Sequence, residues 1–275
     1  MLPMHQLARR LRMLYQEMWW ALVIALLLAS PAGAEVLVSI QPMIGKPDSV
    51  LLRITLKGSI ARKDFGDLDG LVQGFDEKMK GKWSAIVELD STGGNIDAAL
   101  DIGRLLRQRE FPAIVDRGAQ CLSACVYVLA GAPRRVVNQY GTVGIHRPYD
   151  PNDQADTPEQ QKAKQTRWAA SIKQFLASVN VPARLYEDSL FIPPDRMKVL
   201  SGSELQQYGL NANDPYVDEA DEIREAKRLG LSRQELGRRK AEARVKCGLD
   251  RMNDDTPVPQ LRAAAKCEDD YVRRR

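Results

Sequence analysis

Among its 275 residues the sequence has two histidines, His5 and His146. Histidine is the side chain best suited to moving protons near neutral pH, so the setting of each one matters. His146 lies in Gly144-Ile145-His146-Arg147-Pro148, downstream of Cys121-Leu122-Ser123-Ala124-Cys125. A serine in a small-residue segment, followed by a histidine, has the makings of a nucleophile and its general base. A serine held on a tight strand-to-helix corner would expose its hydroxyl, and the Ala124 N–H would point at the same place. Those are the mechanics of a nucleophile elbow, although the G-x-S-x-G signature is absent. Upstream, Asp90-Ser91-Thr92-Gly93-Gly94 joins a strand to a helix. Two glycines there allow a sharp turn and leave N–H groups unshielded near a helix N-terminus, where they can stabilise an oxyanion. Each feature has a plainer role open to it: a histidine packed at a strand end, a helix N-cap serine, an ordinary βα turn.

These residues need a scaffold. Branched apolar runs at 36–40 and 51–60 predict strands, as do 86–89, 113–115, 134–137 and 142–145. Ile96, Ala99, Leu100, Ile102, Gly103, Leu105 and Leu106 recur at helical spacing. Residues 122–130 are apolar and small and predict a buried helix. Further helices are expected over 158–179, 181–190 and 203–208. Strands alternating with helices imply an α/β fold, a largely parallel sheet covered by helices. From about Asp218 the chain is dominated by charge, with two helices and a cysteine-bearing tail expected. Ser232-Arg233-Gln234-Glu235 reads there as a capping box. Such a segment suits a solvated or partner-contacting appendage.

Taken together, the ordered segments resemble the Clp protease proteolytic subunit and the wider ClpP/crotonase superfamily. The order is Asp90 to Gly94, Ser123-Ala124, Ala130-Gly131, Arg134-Arg135, Gly144 to Pro148, Leu200 to Glu204 and Tyr208-Gly209-Leu210. The resemblance covers roughly residues 50–212 and implies a repeated β-β-α spiral. It makes Ser123 the nucleophile, His146 the general base, and Gly94 with Ala124 the oxyanion-hole donors. It implies an acid to orient the imidazole: Asp195 by its distance from His146, with Asp188 as the alternative. It further implies homo-oligomers and a peptide or unfolded polypeptide as substrate. The flanking cysteines depart from the family's nucleophile segment. A catalytically silent binding or scaffold protein on the same fold, and a crotonase-type enzyme acting on acyl thioesters, are the competing readings. No cofactor or metal is implied.

The N-terminus bears on where this chemistry would occur. Arg9, Arg10 and Arg12 precede an apolar run at 19–28, and Ala32 and Ala34 form an A-x-A arrangement. That is a secretory leader with cleavage expected after Ala34; the run is short for a membrane anchor, which needs about 20 apolar residues. The expected organisation is a leader over 1–34, a ClpP-like domain over 35–216 and a charged helical tail over 217–275. The destination read from this is the bacterial periplasm, where no ATP supply would drive an unfoldase partner. Losing Arg9, Arg10, Arg12 and Glu17 lowers the net charge from +4 to +2, too balanced to argue for nucleic acid. Export permits disulfides and disfavours a nucleophilic Cys121 or Cys125. Four cysteines allow three connectivities. Near-neighbour pairing gives Cys247–Cys267, a staple for the polar tail, and Cys121–Cys125, a brace around Ser123 whose i,i+4 spacing threatens strain. The absence of a C-x-x-C pair argues against zinc.

Overall fold

The computed structural model describes residues 34–43, 46–150, 156–253 and 256–274. Of the predicted leader, only Ala34 falls within them. Ala34 is buried, and its N–H donates to Asp64 Oδ2 at 2.9 Å, where the fully buried Asp64 also accepts from Ala61 N–H. Among the described residues no helix is long and apolar enough to cross a membrane.

Two strands, β1 (Glu35–Met43) and β2 (Lys46–Ile60), form an antiparallel ribbon. In β2, Leu52, Ile54 and Leu56 alternate into the core, as the two-residue period of a strand requires. A helix absent from the sequence-based expectation, α1 (Arg62–Met79), crosses over to β3 (Trp83–Gly94), which runs parallel to β2. Ala85, Val87, Leu89 and Ser91 of β3 point inward. The sheet forks at β3. Its middle, at Val87 and Glu88, pairs with β4 (Ala113–Val115), which continues to β6 (Arg135–Val137). Its end, at Ser91, pairs with β5 (Gln120–Leu122), followed by β7 (Thr142–Ile145) and β8 (Lys198–Val199). The β1–β2 and β7–β8 pairs are antiparallel and the others parallel. The sheet is therefore mixed, in an α/β fold whose alternation is compatible in outline with the expected architecture.

Between the branches lie α2 (Ile96–Gln108) and α3 (Cys125–Gly131). Every residue of α3 is buried. The two helices touch backbone to backbone: a Cβ on Gly131 would stand 2.2 Å from the Gly103 carbonyl oxygen. Leu100, Ile102, Leu106 and Leu129 are fully buried around this crossing, each contributing about 1.5–3 kcal/mol relative to exposure. The predicted helix over 122–130 thus divides into β5, a corner at Ser123, and α3. Arg135, from the paired arginines of the sequence motif, is itself buried. Its guanidinium donates to the carbonyls of Ala132, Gly209 and Val179 at 2.8–2.9 Å, and burial lowers its pKa to about 10. It ties three chain segments together.

Beyond the sheet, α4 (Pro158–Ser178) opens on a Thr157–Gln160 capping box and buries Trp168, Ile172, Phe175 and Leu176. Short helices α5 (Arg184–Ser189) and α6 (Gly202–Gln207) follow. The tail contains three helices where two were expected: α7 (Pro215–Leu229), α8 (Arg233–Lys246) and α9 (Val258–Arg273). Ser232 accepts the Glu235 N–H as expected, but the Glu235 carboxylate serves Arg238 and Arg239 instead of closing the box. The tail has its own small core of Ala226, Leu236, Ala243 and Val272. Both near-neighbour disulfides are formed, Cys121–Cys125 and Cys247–Cys267.

So small a core leaves the tail dependent on its staple. The Cys247–Cys267 pair has a sequence separation of 20, and closing such a loop contributes about 3 kcal/mol. Replacing both cysteines by alanine should open 215–274 to limited proteolysis while residues 46–210 stay resistant. Equal resistance of both regions would show that the staple is dispensable.

Candidate active site

Ser123 sits between β5 and α3 with φ 55°, the left-handed region. That conformation is uncommon for a residue with a side chain, and here it turns a strand into a helix within two residues. The corner is fixed on both sides. Ser123 N–H donates to Gly144 O at 2.9 Å, anchoring it to β7, and Ser123 O accepts the Val126 N–H at 3.1 Å. The N-cap position of α3 belongs to Ala124, and no side chain caps the helix. Ser123 is therefore not a capping serine. The Cys121–Cys125 disulfide spans the corner with a Cα–Cα distance of 5.2 Å, inside the ordinary range for such a bridge.

The end of β3 meets this corner through Gly93. Its φ is 91°, and a Cβ there would lie 2.6 Å from both Leu122 O and Ser123 Cβ and 2.9 Å from Ala124 N. Only glycine allows the two strand ends so close. The Gly93 N–H is bonded to Ser91 Oγ at 3.1 Å, and the Ser91 hydroxyl donates to Gly58 O at 2.6 Å. Gly94 (φ 136°) presses against Ile60. Asn95 then caps α2 by accepting the Ala98 N–H at 2.8 Å, so a helix N-terminus opens beside Ser123.

His146 follows β7 and is buried. Its Nδ1 lies 2.9 Å from the Arg147 carbonyl oxygen. A carbonyl can only accept, so Nδ1 is the donor here, and in the neutral tautomer this leaves Nε2 its lone pair. The Arg147 N–H in turn donates to Ile192 O at 2.9 Å, holding that peptide in place. Ser123, His146, Gly93 and Gly94 line one cavity of about 560 Å³. Trp168 and Tyr149 also line it, the Tyr149 ring 5.6 Å from the imidazole. Among the described residues no hydrogen bond joins Ser123 Oγ to the imidazole. A small void next to both side chains is lined by Tyr127, Leu185 and Ser189.

The two candidate acids lie elsewhere. Asp195 is exposed in the segment between α5 and β8. The Asp188 carboxylate accepts from Tyr208 Oη at 2.6 Å and Arg184 Nε at 3.1 Å. The Tyr208 hydroxyl holds the Asp188 carboxyl below its ordinary range, and burial together with Asp188 pushes the Tyr208 phenol up to about 12. No hydrogen bond or ion pair among the described residues links either carboxylate to His146. Sequence reasoning did not single out Trp168 or Tyr149. Trp168 could have been found from its place on the inward face of α4. It also missed Lys164, whose ammonium holds Asp150 and Asp156 at 2.6 and 2.7 Å and so ties α4 to the segment after His146.

No family model and no curated protein matches the sequence. Among solved structures, the fold is distantly similar to a mutant of 1510-N, a membrane-bound stomatin-specific protease. The identity is 23%, covering 57% of this chain and 75% of that one, with a TM-score of 0.44. A second mutant of that protease, in complex with a substrate peptide, gives 24%, 57%, 71% and 0.43. A mutant of ClpP1 from Listeria monocytogenes gives 16% identity over 58% of this chain and 88% of that one, with a TM-score of 0.46.

The contact at Gly93 generates a direct test. Gly93→Ala should cost about 1–3 kcal/mol from overpacking, read in a denaturant melt. It should also displace the Ser123 corner, read as a changed Ser123 φ in a crystal structure. A variant of unchanged stability would show that the strand ends separate freely.

Proposed function

We propose that this chain is a serine hydrolase, a peptidase, with Ser123 as nucleophile and His146 as general base. One observation carries the reading: a non-capping serine in the left-handed conformation lines the same cavity as a buried histidine whose Nδ1–H is committed to a backbone carbonyl. Ser123 Oγ attacks the substrate carbonyl carbon and its proton passes to Nε2 of His146. The N–H groups of Gly94 and Ala124 receive the oxyanion. Collapse of the tetrahedral intermediate expels the amine, which takes the proton from His146. Water then attacks the acyl-serine, and its proton returns through His146 to Ser123 Oγ. In this reading the Arg147 carbonyl, not Asp195 or Asp188, orients the imidazole.

The aromatic walls at Tyr149 and Trp168 suit a peptide with apolar side chains. Export to the periplasm, with small or already unfolded peptides as substrates and a homo-oligomeric assembly, completes the proposal. A second reading, peptide binding without turnover, is favoured by the missing Ser123–His146 hydrogen bond. Hydrogen bonds of this kind are often long in ligand-free sites and tighten on binding, which keeps the enzymatic reading first.

A fluorophosphonate probe should label the wild-type protein and leave Ser123→Ala unlabelled. His146→Ala should slow labelling by roughly 10⁶-fold, the scale of losing the base in a serine hydrolase. Equal labelling of wild type and Ser123→Ala, or none of either, would favour the binding reading. Because the Arg147 carbonyl occupies Nδ1, Asp195→Asn should change the labelling rate by less than about 2-fold. A loss approaching the roughly 10⁴-fold seen when an orienting aspartate is neutralised would restore Asp195 to the site.

A further inference from the structure

The Ser123 corner poses a question that the hydrolase reading leaves open: what keeps a serine in the left-handed conformation when its side chain bonds to nothing? In many turns a polar side chain supports such a backbone by bonding to it locally. Among the described residues, Ser123 Oγ has no hydrogen-bond partner, and α3 has no side-chain cap. The strand before the corner is short. β5 spans Gln120–Leu122 and pairs in register with β3 at Ser91 and Cys121, with β7 on its other side. The helix after the corner is also short, Cys125–Gly131.

One covalent link joins the two arms. Cys121 pairs on the strand side, Cys125 is the first residue of α3, and their disulfide encloses Ser123 at its midpoint. Both cysteines are fully buried. A loop with a sequence separation of 4 restricts the unfolded chain far less than a longer one does. Global stability is therefore not its main effect. Its effect is local: it fixes the angle between the arms, and with it the directions of Ser123 Oγ and the Ala124 N–H.

We propose that Cys121 and Cys125 are positioning residues for the nucleophile, and that their disulfide holds Ser123 in its reactive geometry. The inference rests on the hydrolase reading for its catalytic consequence, and on the backbone alone for its structural one. Without the disulfide, Ser123 relaxes toward the ordinary helical region, and its Oγ turns away from the cavity that Ser123 now lines. Substrate binding is left intact, because the cavity walls at Trp168 and Tyr149 belong to other elements.

The test compares wild type, Cys121→Ala/Cys125→Ala and, as a control, Cys247→Ala/Cys267→Ala. Each is measured for fluorophosphonate labelling, for kcat and KM on a fluorogenic peptide, and for Ser123 φ in a crystal structure. The expected result is a fall in kcat of at least about 10-fold in the first variant, with KM within about 2-fold and a cooperative melt retained. The tail variant should keep wild-type kcat. If the alanine pair does not fold, Cys121→Val with Cys125→Ala, which refills the buried volume, replaces it. Unchanged kcat in a folded variant overturns the proposal. Should wild type show no turnover at all, the hydrolase reading fails, and the structure still decides the positioning claim. Ser123 leaving the left-handed region without the disulfide supports it, and Ser123 staying there overturns it.

Discussion

Two strand ends meet at Gly93 and Ser123 with no side chain between them, and the rest of the site depends on that contact. The missing Cβ lets β3 approach the start of α3 until the Gly93 backbone lies against Ser123 Cβ and Ala124 N. Gly93, Gly94 and Ser123 are thereby brought together in the wall of the cavity. A left-handed residue with a side chain costs about 1–2 kcal/mol. The bond from Ser123 N–H to Gly144 O returns about 1 kcal/mol of that. The same bond ties the corner to β7, which His146 follows. One backbone arrangement thus sets the spacing of Gly93, Ser123 and His146.

The imidazole is held differently from the serine. A backbone carbonyl at Nδ1 fixes the tautomer as firmly as a carboxylate would, because it can only accept. It would offer less to an imidazolium than a carboxylate would. A full negative charge about 4 Å away would contribute roughly 4 kcal/mol at an effective dielectric near 20, and a neutral carbonyl dipole contributes a fraction of this. The geometry therefore describes an imidazole that is held in place but has no charged partner at Nδ1.

The fold was readable where the hydrophobic period was strong. Alternation in 51–60 and the helical face from Ile96 to Leu106 appear where the sequence places them, whereas Asp90 to Gly94, expected as a turn, prolongs β3 to its end at Gly94. α1 escaped because Gly66, Gly70 and Gly74 and its many charges mask a thin apolar stripe at Leu68 and Val72. β5 escaped because three residues carry no period, and their strand character comes from pairing with β3 and β7. Of the residues read as a group, Ser123, His146 and Gly94 line one cavity, while Ala124 is buried outside its lining. The partner of Nδ1 was not readable. A carbonyl at Nδ1 leaves no trace in residue types, and a search restricted to carboxylates must settle on residues such as Asp195 or Asp188.

The tail follows another logic. Its core of four buried residues is too small to hold three helices by burial alone, since chains with so little apolar burial need covalent staples. Its attachment to the α/β unit is polar. Asp214, fully buried at the N-cap of α7, receives Arg107 at 2.5 Å and Asn180 at 2.9 Å, while Arg134 pairs with Asp221 and Arg224 with Glu110. Burial alone would raise the Asp214 pKa; the bonds from Asn180 and Arg107 outweigh it and hold the carboxyl below its ordinary range. Its contribution is therefore fully present above the unfolded value near 4 and is lost as pH falls through the lower folded value. A seam built this way is specific in direction yet adds little apolar burial. The tail consequently owes its folding to Cys247–Cys267 and its placement to Asp214, whereas the Ser123 corner combines a backbone contact at Gly93 with its own disulfide, Cys121–Cys125.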